Sequence, residues 1–138
     1  MSNFLGYKCS ICNSEFSPVS ILYSCPHCGG NLDVVLDYAT LKKKFRVEDI
    51  TSRTDASLWR YTPLLPVPDP GGVHTPLHAA GWTPVFRPDR LAADLGIEKL
   101  WVKDEGRNPT ASFKDRASAI VVARAREIKA EVVVTAST

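Results

Sequence analysis

Two sets of residues in this sequence could do chemistry, and the first is a set of four cysteines. Cys9, Cys12, Cys25 and Cys28 form two C-x2-C pairs with twelve residues between them. Four thiolates at this spacing match a closed, tetrahedral structural zinc site, although an iron tetrathiolate would use the same ligands. His27 lies inside the second pair and would be a fifth ligand, so we expect it to be exposed. The pattern predicts bound Zn²⁺ and disfavours two disulfides.

The second candidate is Lys114, in the stretch 108–116 that reads Asn-Pro-Thr-Ala-Ser-Phe-Lys-Asp-Arg. A helix is predicted over 113–129, with Ser112 as its N-cap and Asp115 completing a capping box. The lysine therefore lies in the first turn, where the helix dipole disfavours a cation. Taken alone, it could be a solvated surface residue, an anion ligand at the helix N-terminus, or a Schiff-base nucleophile.

Other catalytic patterns are absent from the sequence. There is no G-x-x-x-x-G-K-[ST] phosphate loop and no G-x-G-x-x-G dinucleotide fingerprint. Neither H-E-x-x-H nor G-x-S-x-G occurs. This elimination leaves Lys114 as the main candidate for catalysis.

The composition favours a soluble globular protein that does not bind nucleic acid or membranes. The 138 residues are 44% hydrophobic and 23% charged, and the net charge is only +2. No signal peptide is recognised at the start, and no apolar run approaches the roughly 18 residues of a membrane span. We therefore expect a cytoplasmic protein, in which clustered cysteines are ligands or free thiols.

Three segments are expected along the chain. Residues 1–40 form a metal-stapled subdomain, with a hairpin at Ser14–Phe16 and Ile21–Ser24 and a last strand at Leu32–Tyr38. This segment has one cation and three anions, which favours a structural role over nucleic-acid binding. Residues 41–80 are rich in proline and glycine and form a linker and anchoring segment.

The linker is expected to begin with a helix at Leu41–Arg46 and to carry a short helical or irregular anchor at Ser57–Tyr61. Its two histidines, His74 and His78, are predicted to lie in a loop. The triple-lysine face of the first helix is interpreted as solvated.

Residues 81–138 show the order β-α-β-α-β, which is an α/β layout. Strands are predicted at Trp82–Arg87, at Leu100–Lys103 and at Val132–Val134, the last two as buried strands of a parallel sheet. A helix over Asp89–Leu95 should end at Gly96, a plausible C′ residue. The last strand runs into a small polar turn, so we expect the chain to be a fragment of a longer protein.

The stretch 108–116 resembles the cofactor-lysine segment of pyridoxal-phosphate enzymes of the tryptophan-synthase-β fold type. Its Ser-Phe-Lys-Asp-Arg variant is most similar to that of the threonine synthases. Gly81-Trp82-Thr83-Pro84 resembles the Gly-x-Thr-Pro entry of this family, 100–105 its strand ahead of the lysine loop, and 134–138 the strand that leads into its substrate-carboxylate loop. A four-cysteine ribbon is similar to one branch of threonine synthases and to cysteate synthases. The implied fold is α/β: an N-terminal zinc ribbon, then the truncated start of a parallel-sheet, PLP-dependent fold type II domain.

The resemblance also implies roles for single residues. Lys114 would link pyridoxal 5'-phosphate and serve as the recycling acid and base, and Phe113 would pack beside the cofactor. Ser137 and Thr138 would begin the loop that binds the substrate carboxylate. The other polar residues of the motif are explained by loop shape, capping or an ion pair: Asn108, Thr110, Ser112, Asp115 and Arg116.

The implied activity is the conversion of O-phosphohomoserine and water to threonine and phosphate, by a full-length protein that is expected to be a homodimer. The phosphate cup and the partner of the pyridine nitrogen are not among these residues, so the fragment alone should be inactive. Cysteate synthase, which uses O-phosphoserine and sulfite, or another lyase of the same fold type is the alternative enzyme. A zinc-ribbon binding module on an inactive scaffold is the alternative of another class.

Overall fold

The structure is a computed structural model that describes residues 3–135. The predicted carboxylate-loop residues Ser137 and Thr138 therefore lie outside the described residues. Contacts divide the chain into two compact units. One comprises the residues up to Arg53 together with Tyr61–Asp69, and the other comprises Thr54–Arg60 together with the residues from Pro70 onward. No helix in the described part is long and apolar enough to cross a membrane.

The first unit contains a three-stranded antiparallel sheet in the order β2-β1-β3. β1 is Phe4–Cys9, β2 is Glu15–Phe16 and β3 is Leu32–Leu36. β3 lies within Leu32–Tyr38, the range predicted for the last strand of this segment. The predicted hairpin is wrong in its second half, because 21–24 form no strand and β2 pairs with β1 instead. The turn that joins β1 to β2 is the first cysteine turn, in which the Cys9 amide donates to the Ser14 carbonyl at 2.9 Å.

A small apolar cluster lies beside this sheet. Phe4, Leu36 and Leu41 are its buried members, and Tyr7 and Phe45 pack against them. Leu41 comes from α1, Tyr38–Lys44, which begins earlier than predicted because the Asp37 carboxylate accepts a hydrogen bond from the Thr40 amide at 2.9 Å. A short helix α2, Val47–Thr51, follows.

The second unit carries the lysine segment. A 3₁₀ helix spans Leu58–Leu64, and only its first three residues belong to this unit. Three α-helices follow, α3 at Pro76–Ala79, α4 at Asp89–Asp94 and α5 at Asp115–Glu127. β4, Val85–Phe86, and β5, Val102–Lys103, form an antiparallel pair, and a second 3₁₀ helix at Glu105–Arg107 follows them. α4 ends as predicted, with Gly96 at a φ of +65° directly after its last turn.

Trp59 is the largest fully buried side chain of this unit among the described residues. Its indole N–H donates to the Leu77 carbonyl of α3 at 3.1 Å. The predicted loop position of His78 is wrong, because this residue lies in α3, where Pro76 occupies the first turn. His78 Nε2 is 3.9 Å from an oxygen of Asp55.

Three strand predictions differ from the structure, and within Trp82–Arg87 only Val85–Phe86 is a strand. Leu100–Lys103 was expected to be a buried strand, but only Val102–Lys103 is extended and both residues are exposed. Val132–Val134 was expected to be a central strand, but it is irregular and exposed. A buried parallel strand needs paired neighbours and covering layers on both faces. The described residues provide one antiparallel pair in this unit, so neither segment finds that environment.

Candidate functional site

The four cysteines lie together in the first unit. Their Sγ atoms are all within 4.8 Å of one another. The Cys9–Cys28 and Cys12–Cys25 sulfur pairs are both 3.5 Å apart, which is much longer than a disulfide bond of about 2.05 Å. Four Zn–S bonds of about 2.3 Å in a tetrahedron place the sulfurs about 3.8 Å apart. The donor set and its spacing therefore fit a tetrathiolate metal site.

The two cysteine turns have the same backbone construction. In each, the amide of the first cysteine donates to the carbonyl five residues later: Cys9 to Ser14 at 2.9 Å and Cys25 to Gly30 at 2.8 Å. In each, the carbonyl of the first cysteine accepts from the amide four residues later, which belongs to Asn13 or to Gly29. The Ile11 and Cys12 amides also point at the Cys9 sulfur, at 3.4 and 3.5 Å. The first turn thus aims two backbone N–H groups at sulfur.

The thiols have unequal acidities because backbone amides, the Ser14 hydroxyl and neighbouring sulfurs act on them differently. The Cys12 amide lowers the pKa of Cys9, and the Ser14 hydroxyl and amide lower the pKa of Cys12 to about 6. The Gly30 amide acts to lower the pKa of Cys28, but the neighbouring Cys9 and Cys12 sulfurs outweigh it and raise this pKa to about 12. A divalent cation would offset the repulsion among thiolates and let all four ionise.

His27 is exposed, as predicted. Its Nδ1 is 2.9 Å from the Ser14 hydroxyl, and its ring packs edge-on against Phe16. The Cys12 thiol in turn donates to the Ser14 hydroxyl at 3.2 Å. The histidine is thus linked to the cysteine cluster through Ser14, and Cys9, Cys12, Cys25 and Cys28 form the donor set without it.

Lys114 lies at the start of α5, as its N-cap residue, and is exposed. The predicted capping by Ser112 is therefore shifted. Its hydroxyl instead accepts from the Lys114 amide at 3.2 Å. The predicted capping box is also wrong, because the Asp115 carboxylate accepts from the amide and hydroxyl of Thr110, at 2.7 and 2.5 Å. Ala111, with a φ of +55°, turns the chain back so that Thr110 faces this carboxylate.

Glu105 is the centre of the hydrogen bonds that surround the lysine loop. Its two carboxylate oxygens accept from Arg116 Nε at 2.7 Å and Nη2 at 2.8 Å. The same oxygens accept from the Thr83 hydroxyl at 2.7 Å and from Asn108 Nδ2 at 2.9 Å. The hydrogen bonds and charge of Arg116, with those from Thr83 and Asn108, lower the pKa of Glu105 to about 2. The carboxylate is therefore ionised at neutral pH and takes four donors.

The other groups of this cluster join the loop to Gly81. Its amide donates to the Asn108 side-chain oxygen at 2.9 Å, and its carbonyl accepts from Arg116 Nη2 at 2.8 Å. Asn108 is buried, and its Nδ2 also donates to the Glu105 carbonyl at 2.9 Å. Lys103 Nζ donates to the Thr83 carbonyl at 2.9 Å. Two of the segments that carry the family resemblance, 81–84 and 108–116, are thus tied together.

The structure brings some of the predicted residues together and not others. Lys114 and Phe113 are neighbours at the start of α5, and the Phe113 ring is 65% exposed. The ion pair that the sequence offered as one explanation for Arg116 is present. Glu105 was not singled out from the sequence, although it lies in a resembling segment. The only local signal for Glu105 was that it is a charged residue between the predicted strand at Leu100–Lys103 and the stretch 108–116.

Comparison with known proteins first gives the class of protein that part of the chain is similar to. Residues 77–138 match the family model described as pyridoxal-phosphate dependent enzyme. No solved structure gives a significant match. The matched region includes Lys114, Glu105 and Arg116, so the resemblance to pyridoxal-phosphate enzymes is confirmed.

Within that class the chain is similar to threonine synthases. It is 40% identical over 131 residues to the threonine synthase of Methanocaldococcus jannaschii and 41% identical over 132 residues to that of Methanosarcina acetivorans. Each match covers 95% of this chain, so it extends across the cysteine turns. A threonine synthase of Synechocystis is 37% identical over 64% of the chain. The chain spans only about 31% of the length of the first two relatives.

Proposed function

We propose that these residues supply the cofactor lysine and a structural metal ribbon to a pyridoxal-phosphate dependent threonine synthase. The observation that carries the proposal is the position of Lys114 at the start of α5, in a loop fixed to 81–83, within a region that matches the family. Its side chain is exposed, and within residues 3–135 no carboxylate is ion-paired with its amine. An accessible amine of this kind fits a lysine that links a carbonyl cofactor.

Bound pyridoxal phosphate would supply an electron sink for carbanions at the substrate carbons. The chain's own part is to hold and move protons. The Lys114 amine would be the group that accepts and returns them. Phe113 would exclude water from one side of the cofactor. Ser137 and Thr138 would hold the substrate carboxylate by hydrogen bonds.

The proposed substrate is O-phosphohomoserine, which the full-length protein would convert with water to threonine and phosphate. We further propose that residues 1–40 form the zinc ribbon, 41–80 the linking segment, and 81–138 the first part of a fold type II catalytic domain with a parallel sheet. A homodimer in the cytoplasm is the assembly that we propose for the full-length protein. The support is the similarity to threonine synthases and the fit of four free thiols to a metal.

Borohydride trapping in the full-length protein tests the lysine. Reduction should fix the cofactor to the peptide that contains Lys114, as shown by mass spectrometry, and Lys114→Ala should abolish both the adduct and the visible absorbance of the linked cofactor. Lys129→Ala is the matched control, since Lys129 is an exposed lysine just after the other end of α5. A wild-type adduct on Lys114→Ala would show that this lysine is not the cofactor lysine.

Substrate assays on the same protein separate the enzyme alternatives. Phosphate release from O-phosphohomoserine together with formation of threonine supports the proposal. Cysteate formed from O-phosphoserine and sulfite would favour the related enzyme instead. A wild-type protein that traps no cofactor would indicate the inactive-scaffold alternative.

A further inference from the structure

An extensive side-chain network surrounds the lysine loop rather than Lys114 itself. It joins 81–83 to two later segments that are close together in sequence, 105–108 and Arg116. Arg116 bonds to Gly81 across 35 positions, and Gly81 bonds to Asn108 across 27. The network therefore encloses the loop that ends at Lys114, two residues before Arg116.

We propose that Glu105 and Arg116 are positioning residues that set the placement of the Lys114 loop against Gly81–Thr83. Their geometry supports this role. The guanidinium of Arg116 donates through both Nε and Nη2 to the two oxygens of Glu105, which is the bidentate arrangement that fixes orientation as well as distance. Glu105 also accepts hydrogen bonds from Thr83 and Asn108, so one carboxylate fixes the position of the segment 81–84 relative to the stretch 108–116.

Each carboxylate oxygen of Glu105 accepts two of these four donors. One oxygen takes the Thr83 hydroxyl and Arg116 Nη2, and the other takes Asn108 Nδ2 and Arg116 Nε. A glutamine has only one acceptor oxygen and one NH₂ donor group. In either orientation of the amide that Glu105→Gln introduces, two donors would face its NH₂ group. This substitution therefore removes hydrogen bonds by which Glu105 positions the loop, while it preserves the size of the side chain.

The effect that we expect on cofactor linkage rests on the proposed function of Lys114, whereas the effect on the position of the loop does not. Asn108 is held by Glu105 and in turn holds the Gly81 amide, so exchange of this amide reports whether the loop is in place. This readout is independent of cofactor. The Ala92 amide of α4, which donates to the Pro88 carbonyl at 3.0 Å, lies outside the network and serves as the reference for opening elsewhere in this unit.

The matched control is a second Arg–Glu pair on the same helix. Arg124 Nη1 lies 2.6 Å from a Glu127 oxygen, three residues apart, within α5. Glu127→Gln makes the same chemical change to an ion pair that does not reach the loop. A difference between the two variants therefore isolates the network from a general effect of removing a carboxylate from this unit.

The experiment is hydrogen exchange of the full-length protein without cofactor, resolved to single amides by mass spectrometry. Loss of hydrogen bonds to a charged group should speed exchange at Gly81 by about tenfold or more relative to Ala92 in Glu105→Gln and in Arg116→Lys, with no such change in Glu127→Gln. Equal acceleration at Gly81 and Ala92 would mean a purely structural role and would overturn the proposal. So would unchanged exchange at Gly81.

A second measurement connects the network to the lysine. In cofactor-free full-length protein given pyridoxal phosphate, the rate of borohydride-trappable linkage to Lys114 should fall about tenfold in Glu105→Gln, well below its melting temperature, and stay unchanged in Glu127→Gln. Wild-type linkage rates in Glu105→Gln would contradict positioning. Absence of linkage in the wild-type protein would instead refute the proposed function, and the exchange experiment would still decide the positioning role.

Discussion

Asn13 and Gly29 occupy the same position in the two cysteine turns, four residues after the first cysteine of each, with φ values of 60° and 73°. Both amides donate to the carbonyl of that cysteine, at 3.1 Å for Asn13 and 2.8 Å for Gly29. The left-handed region is open to glycine and tolerated by asparagine, and it disfavours other residues. The two turns therefore need a positive φ at the same position, and one turn has asparagine there while the other has glycine.

We predict that Gly29→Ala destabilises the metal-bound ribbon by about 1–2 kcal/mol. A Cβ at this position would meet no atom within 4 Å, so the loss would come from backbone conformation alone. Asn13→Gly should be neutral or slightly stabilising. Thermal unfolding of the zinc-loaded protein measures both, and a Gly29→Ala variant as stable as the wild type would contradict the explanation.

We predict that the cysteine cluster binds one metal ion per chain and that this ion is needed for the ribbon to fold. Cys9→Ser should lose the metal, because Cys9 is a fully buried donor that also accepts two backbone amides. His27→Ala should keep the metal, since this exposed ring contacts Ser14 rather than the donor set. Atomic emission gives the metal content, and circular dichroism after chelation gives the folding. Full metal content in Cys9→Ser, or its loss in His27→Ala, would show that the ligand set is different.

We predict that the second unit loses stability in acid through Glu105. Its pKa is lowered from the ordinary 4.5 to about 2, chiefly by the hydrogen bonds from Arg116. A carboxylate with a lowered pKa in the folded state contributes stability that is fully present above its unfolded pKa and is lost as the pH falls towards the folded value. The contribution of Glu105 should therefore decline from about pH 4.5 to about pH 2.

Tryptophan fluorescence isolates this effect, because all three tryptophans of the chain, at positions 59, 82 and 101, lie in the second unit. Urea unfolding followed by this signal should depend less on pH between about 5 and 2 in Glu105→Gln than in the wild type. Glu127→Gln is the comparison for a more exposed carboxylate of α5. Parallel pH profiles for the wild type and Glu105→Gln would disprove the assignment.

We predict that Gly81 tolerates no side chain. Its φ is +106°, and a Cβ there would lie 3.0 Å from the Leu58 backbone nitrogen and 3.1 Å from Arg116 Nη1. Gly81→Ala should cost at least about 2 kcal/mol, from backbone strain of about 1–3 kcal/mol plus displacement of these groups. Gly96→Ala shares the positive φ but opens into free space, so it should cost less. Urea unfolding of the two variants measures both costs, and equal costs would mean that neither the contacts nor the φ of +106° sets Gly81 apart.

Local signals in the sequence predicted the elements that depend on neighbours along the chain. Gly96 ended α4, and the alanine-rich pattern marked most of α5. The cysteine spacing was sufficient to anticipate one cluster of four sulfurs, because each C-x2-C turn is a local structure. The exposure of His27 followed from its place inside one of these turns.

The features that the sequence did not predict depend on distant partners. Nothing near Glu105 indicates that Thr83 and Arg116 will meet at its carboxylate, since these residues come from three separate segments. β1 was not predicted from the sequence, because it is paired by β2 and β3 from other segments. The first cysteine turn places β2 beside it. The apolar run Val132–Val134 carried a strong strand pattern, but pattern alone does not supply a strand to pair with.

The Glu105 network closes across 35 positions, whereas the sulfur pair of Cys12 and Cys25 closes across 13. Chains are synthesised from the N-terminus, and domains generally fold as they emerge. Every cysteine of the cluster is made long before Arg116, so the four thiols can come together while the lysine loop still lacks the arginine that holds it. The cysteine cluster would therefore form on the ribosome before the network around the lysine loop.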